Sequence, residues 1–419
     1  MPYTSRETYE FISCQTNDPI VEWKTCKVSG QPFPIYQSDM DFYEKISPTF
    51  NGKKFGIPTP TLCPEERERR RLAFRNEREL YRRKCDFSGK SIISIYSPDK
   101  PFKVYEQDIW WSDKRNPFDY GRLFTFQQSF FEQFASLLAD VPKIALYEKS
   151  NENSIYTNDT THNKNCYLIF SSDYNENCCY GVFNNSKSSI DCLECRSIEK
   201  CYECVNCLHC HKLFYALDCE QCTHSSFLIN CVNCDHCFLS HNLNGKRYYF
   251  LNKPYSPQEY QEKIKNLTLK EAKKNFETVI QKTIHRHLKI NASENCIGND
   301  IEHSQNCKYC FDTLQARNCS YIFFGSQTLS DCQDTICASI DASKCYQVQN
   351  CLEHCHQIMS CNFSNNIQFS YYLNNCINCS QCFGCVGLRN KEYCIFNKQY
   401  EKTEYERLIF QIIEKMQED

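Results

Sequence analysis

The 33 cysteines of this 419-residue chain are the groups most able to do chemistry. Thiolates bind soft metals, exchange disulfides or attack electrophiles, whereas a protonated thiol packs as a small hydrophobe. Two tripeptides add imidazole, His209-Cys210-His211 and His354-Cys355-His356. On a strand the two histidines of each face away from the cysteine, so an outward pair can grip a transition metal; the alternative is solvated surface histidine. In the first 150 residues only Cys14, Cys26, Cys63 and Cys85 occur. They are a candidate zinc set, because a structural site takes four nitrogen or sulfur ligands. Cys26 and Cys85 each open a Cys-x-x-Ser-Gly phrase, a knuckle with serine at the second ligand position (Ser29 and Ser88), and Cys63 opens CPEER with Glu66 in the corresponding place.

The elements that must hold these thiols are announced by their spacing. All eleven cysteines from Cys192 to Cys237 stand multiples of three apart, a chance of roughly 1 in 60,000 for independent registers. Three is neither the strand period nor the helix period. It suits a strand that turns a corner between inward residues. Eleven cysteines follow Asn and three follow Asp, the non-glycine types that best tolerate positive φ. With only 11 glycines available, Asn is expected at the corners and in side-chain ladders between coils. Recurrences at 18, as in Cys201, Cys219 and Cys237, predict a short-coil parallel β-solenoid of about 18 residues per turn with inward cysteines on neighbouring rungs.

The cysteine-rich part is duplicated. An offset of 141 carries Asn158, Asp159, His162, Cys166 and Cys178 onto Asn299, Asp300, His303, Cys307 and Cys319, and an offset of 145 carries Cys231, Cys234 and Cys237 onto Cys376, Cys379 and Cys382. The expected fold is therefore mainly β: two tandem Cys-rich parallel β-solenoid modules, 151–255 and 292–400, after an N-terminal α+β domain with a degenerate zinc-ribbon, 1–150. A helical connector, 256–291, begins with a capping box of Ser256 and Glu259, and a C-terminal helix, 401–419, closes the second module.

A net charge of −3 excludes a generally basic nucleic-acid coat and confines any polyanion site to a local patch. The patch on offer is EERERRRLAFRNERELYRRK, residues 65–84, read as one helix. Its Arg67, Arg70, Arg71, Arg75, Arg78 and Arg82 are candidates for contacting RNA, a ribonucleoprotein or an acidic protein; the alternative is a solvated helix laced with salt bridges. Trp110 and Trp111 are read on a strand. The first residues lack a signal-peptide pattern and no run of about 18 apolar residues occurs, so a cytoplasmic protein with reduced thiols and no membrane contact is expected.

The phrases from LCPEERERRRLAFRNERELYRRKCDFSGK through IWWSDK, with NKNCYLIFSSDYNENCCYG and NKQYEKTEYERL, resemble an uncharacterised family of cysteine-rich, zinc-ribbon-containing proteins of candidate-phylum bacteria with small genomes. Some of its members carry a CaiB/BaiF label, but this chain has no nucleotide-binding βαβ pattern. The resemblance implies a degenerate zinc knuckle at Cys26 and Cys63 and the cysteine-rich repeat, and it implies no activity. The function expected is a non-catalytic binding or scaffold protein. The alternative is a metal-handling protein for zinc, copper or iron built on cysteine ladders and the His-Cys-His pairs.

Overall fold

The computed structural model describes residues 3–76, 78–191, 195–196, 223–285, 287–299, 301–305, short runs and single residues between 307 and 352, and 361–418. The chain is mainly β and winds a parallel β-solenoid of about 14 turns. Eight α-helices lie among the described residues: α1 Arg6–Thr16, α2 Gln37–Ile46, α3 Pro64–Leu72, α4 Gln107–Trp111, α5 Phe130–Asp140, α6 Pro257–Lys265, α7 Leu269–Lys282 and α8 Lys402–Glu418. None is long and apolar enough to cross a membrane.

Coil length departs from the expected 18 residues. Parallel partners are Asn158↔Phe170, Ser226↔Phe238 and Ile367↔Cys379, each twelve residues apart. In one coil Asp159, His162, Asn165 and Leu168 have φ of 57°, 53°, 54° and 49°, and the residue after each, Thr160, Asn163, Cys166 and Ile169, is buried. A left-handed residue every third position thus makes four corners per coil and turns every third side chain inward. Residues 18 apart lie one and a half coils apart, so that recurrence reflects the three-residue side and not the coil.

Asparagine occupies corners as expected, which limits the roughly 1–2 kcal/mol cost of the left-handed conformation. Its amides also join the coils: Asn153 donates to Asn165 at 2.9 Å and Asn165 to Asn177 at 3.1 Å. A second ladder runs from Asn366 to Asn378 to Asn390, both bonds 3.0 Å. Eleven-residue coils, at Asp173↔Asn184 and Ile290↔Ile301, shift the inward phase by one residue.

The chain forms two compact units, each discontinuous in sequence: 1–75, 115–142 and 287–419 in one, 76–114 and 143–286 in the other. The first 150 residues contribute to both. Each unit contains one Cys-x-x-Ser-Gly hairpin, Ile20–Thr25 with Pro32–Tyr36 and Tyr81–Lys84 with Ser91–Ser94. The two turns are built alike. Gly30 N–H donates to the Cys26 carbonyl and Gly89 N–H to that of Cys85, both at 2.9 Å, and Gly30 and Gly89 hold φ of 71° and 74°.

In each unit helices cover an apolar side of its coils. In the first-named unit, Phe130 and Leu137 of α5 and Tyr405, Ile409 and Ile412 of α8 form a core with Tyr371, Phe383 and Ile395. In the second, Tyr260 of α6 and Ala272, Phe276 and Val279 of α7 pack with Phe227, Phe238 and Phe250. Each such side chain is worth about 1.5–3 kcal/mol when fully buried. The Ser256–Glu259 capping box starts α6 as expected, and a second box, Thr268 with Glu271, restarts the chain as α7. Trp110 and Trp111 lie on α4 rather than a strand, Trp110 buried and Trp111 exposed.

Candidate functional site

The inward thiols are placed by the corners, and their hydrogens go to the backbone. Cys231 Sγ reaches the carbonyls of Ile229 at 3.4 Å and Ser240 at 3.6 Å; Cys382 reaches those of Ser380 at 3.3 Å and Lys391 at 3.6 Å. The pattern, two residues back and nine ahead, recurs at Cys166, Cys234, Cys237 and Cys385. Inward serines make the first of these bonds too, Ser240 to Phe238 at 3.0 Å and Ser370 to Gln368 at 2.9 Å. A thiol or hydroxyl here satisfies carbonyls that the tight corners turn into the core.

Cys376, Cys379, Cys382 and Cys385 follow the four corners of one coil, Asn375, Asn378, Gln381 and Gly384, and are all buried. The neighbouring thiols Cys376 and Cys382 hold the Cys379 thiol low, and burial raises Cys376. Between coils, Cys307 and Cys319 form a disulfide with Cα atoms 4.6 Å apart. Among the described residues no three cysteine sulfurs lie within 4.8 Å of one another.

The knuckle of the first hairpin brings Cys26, Ser29 and Cys63 together. Ser29 Oγ is 3.7 Å from Cys63 Sγ, and Cys63 caps α3, placing Glu66 one turn on. Burial pushes the Cys26 thiol up, but the Ser29 hydroxyl and the N–H groups of Ser29, Cys63 and Val28 outweigh it and bring the thiol down to about 7. Burial pushes Cys63 up to about 11. At the second hairpin, Cys85 Sγ accepts from Ser88 N–H at 3.5 Å and Glu106 N–H at 3.3 Å. Glu106 caps α4 as Cys63 caps α3. Of the four thiols expected as one zinc set, Cys14 is exposed on α1 in the same unit as Cys26 and Cys63, and Cys85 belongs to the other unit.

The arginines do not share one helix. α3 ends at Leu72, because Asn76 closes a turn of its own: it donates to the Glu79 carbonyl at 2.9 Å and accepts from Glu79 N–H at 3.0 Å, a side-chain bonding pattern that competes with helix. Arg67 pairs with the fully buried Asp334 carboxylate, and Arg71 Nη1 lies 3.7 Å from the same oxygen. These two buried side chains hold the fold and are not presented to a polyanion. Arg70, Arg78 and Arg82 are exposed and Arg75 is half-buried. His209, Cys210, His211, His354, Cys355 and His356 lie outside the described residues.

Two features escaped the sequence reading. One is the triad His224, Asp235 and His236, the single group of three or more His, Cys, Asp or Glu among the described residues whose ligand atoms all lie within 4.8 Å. The other is an apolar outer column, where Ile155, Tyr167, Tyr180 and Ile190 are 69, 41, 51 and 46 % exposed. Tyr167 pairs with Cys179 and Cys179 with Ile190 along it. Tyr167 meets the rings of Tyr156 and Tyr180 edge-on at 5.5 and 5.8 Å. Both become legible only when residues are counted in coils of twelve. Comparison with protein-family models, curated proteins and solved structures finds no match to this chain.

Proposed function

We propose that the protein is a non-catalytic binding scaffold whose solenoid presents the Ile155–Tyr167–Ile190 column to an amphipathic helix of a partner. The observation that carries this reading is the contrast between covered and exposed apolar columns among the described coils. Ser226, Phe238 and Phe250 follow one another in register on successive coils, and Phe238 and Phe250 lie under α6 and α7. In the other unit Tyr371, Phe383 and Ile395 lie under α5 and α8. Apolar columns that take amphipathic helices elsewhere among the described residues have an exposed counterpart at Ile155, Tyr167 and Ile190, and exposed apolar patches of this kind mark interaction sites. A rim of ion pairs, Lys164 with Glu152 at 3.2 Å and Lys187 with Glu176 at 2.9 Å, supplies polar edges suited to orienting a helix.

The engagement of inward thiols with carbonyls favours packing over metal storage. Contact with RNA or an acidic partner rests on the exposed Arg70, Arg78 and Arg82. Site-specific photocrosslinking from position 167 tests the scaffold reading. A crosslinked partner that is lost in Tyr180→Glu, retained in Arg70→Glu and displaced by its own amphipathic segment as a peptide supports it. Equal crosslinking in wild type and Tyr180→Glu overturns the assignment of the face, and loss in Arg70→Glu alone transfers the site to the arginines.

A further inference from the structure

His224 and His236 stand one coil apart at left-handed corners, with φ of 39° and 50°. Their rings stack with centroids 5.1 Å apart and planes 14° from parallel. Asp235 precedes the second histidine, and its Oδ1 lies 2.9 Å from His236 Nδ1. That nitrogen is buried and makes no hydrogen bond. A nitrogen and a carboxylate oxygen this close without hydrogen-bond alignment match two adjacent ligands of one ion: at bond lengths of about 2.1 Å and an angle near 90°, neighbouring ligands lie about 3 Å apart.

The surroundings fit the same reading. Thr223 donates its hydroxyl to Asp235 Oδ1, an outer hydrogen bond of the kind that orients a carboxylate ligand. Tyr260 is almost wholly buried and its hydroxyl has no hydrogen-bond partner. Its ring centroid is 6.3 Å from that of His236. Burial first, then the nearby Cys237 and Asp235, raises its phenol. A water on an ion held by the triad can donate a hydrogen bond to that hydroxyl oxygen. Among the described residues Arg247 is the arginine or lysine paired with Asp235, its Nε and Nη2 donating to Oδ2 at 3.2 and 3.0 Å from a side chain that is 73 % exposed. An offset of 145 places Phe369, Ser380 and Gln381 at the corresponding positions of the other copy, so the group belongs to one unit.

We propose that His224, Asp235 and His236 form a binding site for one divalent first-row transition cation, with two imidazoles and one carboxylate as ligands and the remaining positions open to water. Two histidines and a carboxylate with open positions suit zinc, iron(II) or cobalt(II). The site is independent of the docking face proposed above.

Cobalt(II) titration of the full reduced chain tests it, because sulfur ligation gives an intense ultraviolet charge-transfer band and nitrogen–oxygen ligation does not. The proposal expects one equivalent with visible d–d absorption and no sulfur band, bound at least about tenfold more weakly by His224→Asn and by Asp235→Asn. Asn tolerates the corner that His224 occupies, so that variant retains the coil. Arg247→Ala is expected to bind more tightly, since it removes the competing cation without touching a ligand. A cobalt spectrum made up wholly of thiolate bands, or identical titrations for wild type, His224→Asn and Arg247→Ala, overturns the proposal.

Discussion

Cys376 Sγ–H donates to the carbonyl of Cys385, nine residues ahead on the same winding, at 3.4 Å, and lies 3.5 Å from that of Asn374. Cys376→Ala leaves both carbonyls without this donor and opens a void, and it is expected to destabilise its unit by about 1–3 kcal/mol. Cys376→Ser keeps a donor like that of Ser364 and Ser370 and is expected to cost less. Denaturation midpoints of the two variants decide it: if Ser is worse than Ala, the thiol acts through volume and not through its hydrogen.

At Asn165 two contributions can be separated. Its φ of 54° requires left-handed tolerance, while its amide links Asn153 to Asn177. Asn165→Gly keeps the first and removes the second; Asn165→Ala removes both, adding roughly 1–2 kcal/mol. Thermal melts should rank wild type above Gly and Gly above Ala, and the reverse order of the two variants would contradict the corner assignment.

Asp334 is the carboxylate shared by Arg67 and Arg71. Asp334→Asn strips a buried charge pair of one partner, a change that costs about 3–5 kcal/mol. The same substitution should leave binding by Arg70, Arg78 and Arg82 unchanged in a folded sample. A stability loss below about 1 kcal/mol, read by urea unfolding, would show that the pair is open to water.

Burial pushes the Glu148 carboxyl up to about 7, against the hydrogen bond from Thr157. The folded form therefore holds its proton more tightly than the unfolded chain. Stability contributed here is full below the ordinary value near 4.5 and is lost as pH rises from there through about 7. Glu148→Gln is expected to flatten that stretch of the stability profile and to exceed wild type at pH 8 by on the order of 1–2 kcal/mol. Parallel profiles for the two proteins would mean that the carboxyl is solvated.

The Cys26–Ser29–Cys63 group can be tested for zinc by adding thiols. Ser29→Cys with Glu66→Cys supplies four thiols at zinc-knuckle spacing, and we expect the double variant to retain one more zinc per chain than wild type and to melt higher. Equal zinc content after purification in metal-containing buffer would show that the hairpin and the start of α3 do not approach as four ligands must.

How much of this was legible in the sequence depended on the range of the interaction involved. The three-residue cysteine period, Asn before Cys and the duplication follow from local backbone sterics repeated many times, so corners, inward thiols, amide ladders and the Ser256 cap could be read directly. The coil length could not, since a three-residue side is compatible with four corners or six; the hydrogen bonds between coils, Asn158↔Phe170 and its equivalents, select twelve residues. The arginine segment was misread as one helix because Asn76 ends it by a side-chain turn, and because the partner of Arg67 lies 267 residues away at Asp334. Tertiary structure alone divided the first 150 residues between two units. It also stacked His224 on His236 and left Ile155, Tyr167 and Ile190 exposed, since winding brings together residues that only the closed coil makes neighbours.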